Sequence, residues 1–231
     1  MLKSIMQGLG NKARMRRADF LRRVLAIPET ASILDLGGGD GAHIAKVFPN
    51  HQNITVCDYS ESDLRRAAAR GFKTKLADGT NRLPFEDGEF DFVFCSSVIE
   101  HVTGPKSEAI SNTNGQSFRE TALLHQMSFA EEVRRVGRQY YVQTPHKLFL
   151  VESHSWLPLP FVFLPRPALV SVLKQSGKVL KVTAPDWNLL VPAQMKSFFP
   201  EAEIHIERVG GWPKSIMAIK GSPAAEQRLV T

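Results

Sequence analysis

The run Ile33-Leu34-Asp35-Leu36 passes directly into Gly37-Gly38-Gly39-Asp40-Gly41 and then into a helical-looking stretch, Ala42 to Val47. An apolar strand that must turn at once into a helix is the opening of a βα unit, which restricts the chain to α/β architectures. Glycine, lacking Cβ, allows the tight turn and lets backbone N–H groups approach a ligand, and the following helix start carries partial positive charge. The pattern therefore predicts a nucleotide-type ligand site. Its spacing is Asp35-x-Gly37-x-Gly39-x-Gly41, not the G-x-G-x-x-G that cradles a pyrophosphate. An acid at the strand end repels a pyrophosphate and suits an ammonium group.

A second apolar run, Ile54 to Cys57, ends in Asp58, placed to accept both hydroxyls of a ribose. Ser60 and Asp63 read as an N-cap and capping-box acid for a helix through Ala69 that Gly71 stops. Phe72 to Ala77 reads as a short strand ending at Asp78-Gly79, and Phe90 to Ser96 as a buried strand. Phe118 through Val136 is predicted helical, with Leu123, Leu124, Met127, Phe129, Ala130 and Val133 facing inward. Tyr140 to Thr144 follows as a strand. Ile204–Val209 and Ser215–Ile219, joined by a turn at Gly210-Gly211-Trp212-Pro213, alternate as a β-hairpin.

The ordered set of these segments resembles class I S-adenosylmethionine-dependent methyltransferases, of the small-molecule type called methyltransferase domain 11, over about residues 30 to 145. The resemblance implies a Rossmann-like, seven-stranded, mainly parallel sheet with helices on both faces and a C-terminal antiparallel hairpin. It implies S-adenosylmethionine as cofactor and S-adenosylhomocysteine as product. In that family the glycine turn with Asp35, Gly37, Gly38, Gly39 and Gly41 holds the methionine part of the cofactor. The acid matching Asp58 binds the ribose, Tyr59 lies near the adenine and Asp78 meets the adenine amino group. Gly79 and the strand-end Ser96 complete the implied cofactor set. Ser96-Ser97-Val98-Ile99-Glu100-His101-Val102 matches the family's strand-end motif. Departure begins after His101: the Gly-Gly turn of many relatives is replaced by Arg135-Val136-Gly137-Arg138.

With 231 residues, 43% hydrophobic and 23% charged, the chain has ordinary globular composition and room for one α/β domain over residues 29–231. Cys57 and Cys95 fall on predicted strands that flank strand one, too far apart for a disulfide, as suits a reducing compartment. No C-x-x-C pair and no His/Asp cluster at ligand spacing is present in the sequence, so no metal site is expected. Residues 1–28 read as a basic amphipathic helix, with Arg14, Arg16, Arg17, Arg22 and Arg23 on its polar face. It lacks the apolar core of a signal peptide, which predicts a cytoplasmic protein. Its net charge of +6 leaves two readings open: a solvated helix packed over the sheet, or attraction to a phosphate-bearing partner or membrane surface.

Two further segments are unusual. Residues 103–117, rich in Ser, Asn and Gly, are predicted to form a mobile loop or lid. Residues 155–170 are apolar and Pro-rich. Four prolines and Arg166 there argue against a spanning helix and favour a flap at the carboxyl edge of the sheet, with a lipid-facing patch, a dimer contact or a buried connection as competing uses. Candidate catalytic residues are His101, just past strand four, and His146 and His154, after strand five. If its segment is extended, Glu152 shares a face with His154 and orients it. The resemblance implies in-line attack by an acceptor on a sulfonium methyl, with a general base needed mainly for a hydroxyl. The first expectation is O-methylation of a small molecule or glycan. Methylation of RNA or protein, a non-catalytic cofactor-binding role and a nicotinamide oxidoreductase remain as alternatives. Nucleic acid is disfavoured because Ser96-Ser97-Val98-Ile99 stands where many amino-directed enzymes carry an Asn/Asp-Pro-Pro-Tyr-like motif.

Overall fold

The computed structural model describes residues 2–77, 82–176 and 181–221. Seven strands are present: β1 Ile33–Leu36, β2 Ile54–Asp58, β3 Lys73–Leu76, β4 Phe90–Ser96, β5 Gly137–Pro145, β6 Glu203–Val209 and β7 Trp212–Lys220. Helices are α1 Leu2–Val24, α2 Ile44–Val47, α3 Glu61–Ala69, α4 Lys106–Ser111, α5 Gly115–Val136, α6 Arg166–Ser176 and α7 Pro192–Phe198. The sheet order is β3-β2-β1-β4-β5-β7-β6, with β1 parallel to both β2 and β4, and β2 parallel to β3. This is the mainly parallel, Rossmann-like sheet that the sequence predicts. The order reverses at β1, and the carboxyl ends of the strands beside such a reversal are where open α/β sheets form a ligand crevice.

Two compact units divide the chain. The first comprises Met1–Ser96, Glu132–Val142 and Ile219–Thr231, and the second Ser97–Glu131 and Gln143–Ala218. In the first unit, Ile33, Leu34, Val56, Phe92 and Val93 are fully buried. Each such side chain contributes roughly 1.5–3 kcal/mol on burial. α3 packs on β2 and β3. Its N-cap is Ser60, whose side chain accepts from the Asp63 N–H. The reciprocal half of the expected capping box is not made, because the Asp63 carboxylate pairs with Arg66 and the Ser60 N–H is taken by Asp58. Cys57 and Cys95 are buried on the two strands flanking β1 and form no disulfide. α5 runs straight into β5, and the junction residue Gly137 has no room for a side chain: a Cβ there would stand 2.5 Å from Val93 Cγ2. Arg135 fastens the segment before β4 through the carbonyls of Leu83 and Phe85 and the Asp87 carboxylate. In α1, Leu21 and Val24 are buried, and Arg22 donates to the carbonyls of Lys46 and Val47 at the end of α2. One charge of the basic face is thus used for capping.

The second unit corrects two expectations. Residues 103–117 are not one loop: α4 occupies 106–111 and α5 begins at Gly115. Neither start carries apolar periodicity. Asn114 caps α5, its Oδ1 accepting from the N–H groups of Gln116 and Ser117 at 3.0 and 3.1 Å. On α5 the buried positions in this unit are Phe118, Ala122, Gln126 and Ala130, the last as predicted, whereas Leu124 and Met127, predicted inward, are exposed. The polar Gln126 takes an inward place because it donates to the Ile99 and Asn188 carbonyls and accepts from Asn188. In the 155–170 segment, a 3-10 helix at Leu159–Phe163 leads into α6, and Leu157, Leu169, Leu173, Trp187 and Leu189 form a core against which Phe161, Val162 and Leu164 pack. Arg166 is buried. Its guanidinium donates to the carbonyls of Ala109, Asn112 and Pro185 and lies 3.3 Å over the Phe118 ring. β6 and β7 are joined by Gly210 and Gly211 with φ of 57° and 84°, the two left-handed residues that a tight hairpin turn requires. Trp212 and Pro213 belong to β7, not to the turn. Among the described residues no helix is long and apolar enough to cross a membrane.

Candidate functional site

In the first unit the register of β1 on β2 sets Leu36 beside Cys57, and the Gly37 N–H donates to the Cys57 carbonyl at 2.8 Å. That alignment brings the Asp58 carboxylate against the glycine turn. Its Oδ2 accepts from the Gly39 N–H and its Oδ1 from the Ser60 N–H, both at 2.9 Å. Gly37, Gly39 and Gly41 have φ of 71°, 55° and 72°, a region that L side chains enter at a cost. Gly38 is required for a different reason: a Cβ there would stand 2.2 Å from Asp35 Oδ2. Asp35 is buried, and its Oδ2 has no hydrogen-bond partner. Burial, and then the nearby Asp58 charge, push its carboxyl up to about 8.

An orphaned carboxylate oxygen, a turn with open space above Gly39 and a second strand-end acid form a cradle that fits a ligand with an ammonium group and a vicinal diol. Turn backbone, not a helix start, supplies the N–H groups here, since α2 has four residues and begins only at Ile44. Tyr59 is 74% exposed, a free flat face beside Asp58. Ser96 is half-buried at the end of β4. Asp78 and Gly79 lie outside the described residues.

The second unit gathers the candidate histidines differently. Ser97, directly after β4, has φ 59°, and its N–H donates to the Gln143 carbonyl at 2.8 Å. This bend leads into a 3-10 turn, Ile99–His101, that buries Glu100. His101 and His154 meet edge to face with ring centroids 4.6 Å apart. His154 Nδ1 lies 2.7 Å from Glu152 Oε1 and its Nε2 3.4 Å from Glu100 Oε1. The Glu152–His154 pair exists, but not through an extended strand. Residues 152–157 form a tight turn in which Glu152 accepts from the N–H groups of His154 and Ser155 and from the Ser155 hydroxyl. Burial pulls the His154 imidazole down, yet the two carboxylates outweigh it and hold it up at about 9. His101 Nδ1 stands 3.4 Å from Asp186 Oδ1. Lys106 also reaches Asp186, and together with His101 it holds that carboxyl below its usual range against the opposing effect of burial.

His146 stands apart from this pair in its hydrogen bonding. Its Nδ1 accepts from the Leu148 N–H at 3.0 Å, and burial followed by the Arg208 charge lowers its pKa. A neutral His146 therefore carries its proton on Nε2 and has no lone pair to offer there. Among the three candidates, only His101 has one nitrogen oriented by a carboxylate and the other uncommitted to one. Two members of the cluster carried no role in the sequence reading. Glu100 lies inside the quoted strand-end motif, and Asp186 comes from a distant segment whose only local signal is an acid wedged between Pro185 and Trp187. Folding also brings one donor atom each of Glu100, His101 and His154 within 4.8 Å of one another, a grouping that no spacing along the sequence records. A groove of about 630 Å³ in the same unit, lined by Ile110, Thr113, Val170, Leu173 and Val182, reaches Pro185, the neighbour of Asp186.

Residues 34–113 match a family described as "Methyltransferase domain". Among solved structures, a SAM-dependent methyltransferase from Aquifex aeolicus is similar at 15% identity, covering 94% of this chain and 97% of that one with a TM-score of 0.50. A putative methyltransferase of Haloferax volcanii, solved in complex with the Trm112 methyltransferase activator, matches at 13% identity over 95% and 94% of the two chains, TM-score 0.54. Magnesium protoporphyrin IX methyltransferase from Synechocystis PCC 6803, with bound SAH, matches at 12% identity over 96% and 88%, TM-score 0.53. These likenesses establish the fold. No curated protein matches the chain.

Proposed function

We propose that this chain is a class I S-adenosylmethionine-dependent methyltransferase, a reading its matched domain and its fold support, and that it methylates a hydroxyl group of a small-molecule or glycan acceptor. The bound cofactor supplies an electrophilic sulfonium methyl. Asp35, with its unpartnered Oδ2, would hold the cofactor's ammonium group, and Asp58, braced by two backbone N–H groups, would hold the ribose hydroxyls. The carrying observation for the hydroxyl is the His101–Asp186 pair at 3.4 Å. Asp186 orients the ring by its Nδ1, and Nε2 takes the proton as the hydroxyl oxygen attacks. His154, held between Glu100 and Glu152, steadies His101 by ring contact and is not itself the base. His146, its Nδ1 already bonded, is not the base either. The groove that reaches Pro185 suits an acceptor with an apolar portion, and the exposed arginines of α1, Arg16 and Arg23, suit an anionic one or an anionic surface.

The test is calorimetric titration with S-adenosylhomocysteine, followed by turnover on a panel of glycans and small hydroxylated acceptors. Micromolar cofactor binding is expected. His101→Ala should lower turnover by about 10²–10⁴-fold while leaving cofactor affinity unchanged. Turnover unaffected by His101→Ala would remove the base assignment, and absence of cofactor binding by folded protein would remove the enzyme reading.

A further inference from the structure

We propose that Glu100, His101 and His154 form a binding site for one divalent transition-metal ion of the zinc or cobalt type. One donor atom from each comes within 4.8 Å of the other two. His154 Nε2 stands 3.4 Å from Glu100 Oε1. Ligands about 2.0–2.1 Å from a tetrahedral ion are about 3.3 Å apart, so this edge is already at coordination spacing. The exposed His101 supplies the third donor atom, within 4.8 Å of the other two.

Two independent observations point to a cation here. Glu100 is fully buried: its Oε2 accepts from the Thr144 hydroxyl at 2.9 Å, while Oε1 has no hydrogen-bond partner. The nearest nitrogen, on His154, is within ion-pair range but outside hydrogen-bond geometry. A carboxylate oxygen kept in the interior without a donor is costly unless positive charge meets it; in the metal-free chain His154, 3.4 Å away, supplies that charge, and a metal ion would take the place of its Nε2 proton. The second observation lies behind the rings. His154 Nδ1 is held by Glu152 at 2.7 Å, and His101 Nδ1 faces Asp186 at 3.4 Å. A carboxylate behind each imidazole fixes the tautomer that turns Nε2 forward and raises its basicity toward a metal. Glu152 is itself immobilised by the Ser155 N–H and hydroxyl, both at 2.6 Å.

Two imidazole nitrogens and one carboxylate oxygen form a borderline donor set, suited to zinc or cobalt and poor for magnesium or calcium, which take oxygen ligands. Because His101 is exposed while Glu100 and His154 are buried, the three protein ligands leave a solvent-facing position for water or for an oxygen of a bound molecule. A bound ion and an acceptor's proton would compete for the same His101 Nε2, so the metal-loaded chain has no free base there; the ion's binding itself does not depend on methyl transfer.

The experiment uses the full chain, stripped with chelator and free of cofactor. Co²⁺ is titrated and followed by its visible d–d absorption, Zn²⁺ and Mg²⁺ are titrated by calorimetry, and S-adenosylhomocysteine is titrated into the same preparation. One equivalent of Co²⁺ or Zn²⁺ should bind, with affinity at least tenfold weaker in His101→Ala, absent in Glu100→Gln, and no heat from Mg²⁺. His101→Ala changes an exposed side chain, so it decides the matter if Glu100→Gln fails to fold. No saturable binding by the wild-type chain, or unchanged affinity in folded His101→Ala, overturns the site. If S-adenosylhomocysteine binds normally while the metals do not, the metal site alone is lost and the methyltransferase reading stands.

Discussion

Asp35 carries the sharpest consequence at the scale of single residues. Burial and the Asp58 charge raise its carboxyl to about 8 from an unfolded value of 3.8. The folded chain therefore holds a proton that the unfolded chain has lost between those two values. Stability from this group is fully present below pH 3.8 and declines as pH rises toward 8. An ammonium ligand requires the ionised form, so cofactor binding below pH 8 must release a proton. Asp35→Asn is accordingly expected to raise the unfolding midpoint of the cofactor-free protein, with a gain over wild type that widens from pH 5 to pH 8. It should also weaken S-adenosylhomocysteine binding about tenfold or more through loss of a charge-assisted contact. Thermal unfolding across that pH range, with calorimetry in buffers of different ionisation enthalpy, checks both; a pH-independent difference in midpoint would contradict the assignment. Asp35 and Asp58 were legible in the sequence because the motif that places them is local: a strand, a turn and the next strand. Glu152, two residues from His154, was legible as its partner, but Glu100 beside His154 and Asp186 beside His101 were not, because they reach the rings from separate segments and no spacing along the chain records such a meeting.

Elements differ in the same way. β4 spans the residues the sequence assigns, since seven mostly apolar residues between turn signals leave little choice. α4 and the first turn of α5 went unread because what holds them is capping and one distant arginine. Asn114 closes the start of α5, and Arg166 takes up the carbonyls of Ala109 and Asn112 that a mobile loop would offer to water. Asn114→Ala should cost about 1 kcal/mol, with Asn114→Ser retaining most of it, as read by denaturant midpoint. Equal stability of all three proteins would show that the cap contributes nothing. On α5 the helical period was legible but its phase was not: Gln126 displaces Leu124 from the inward face because it satisfies two carbonyls there.

For the whole molecule, the sheet order follows from parallel βα units and a terminal hairpin, both of which can be read from residue patterns. The division into two units cannot, because it depends on which loops fold back on one another. Cys57 and Cys95, inside the first unit on either side of β1, report on that unit as a body. Their alkylation should be negligible in native buffer and should rise in step with loss of helical circular dichroism in denaturant, both thiols together. Labelling of one thiol before the spectroscopic transition would show that the unit opens piecewise.

The segment order of the two units also bears on how the chain is made. Ser97–Glu131 and Gln143–Ala218 are inserted between parts of the first unit, which the chain rejoins at Glu132 and again at Ile219. On the ribosome, the glycine turn and its acids emerge before the second unit's segments, and the body that holds them gains Ile219 and Lys220 of β7 only after those segments. The nascent chain thus carries an incomplete sheet while the second unit's segments are made, an open edge that must be shielded until β7 emerges.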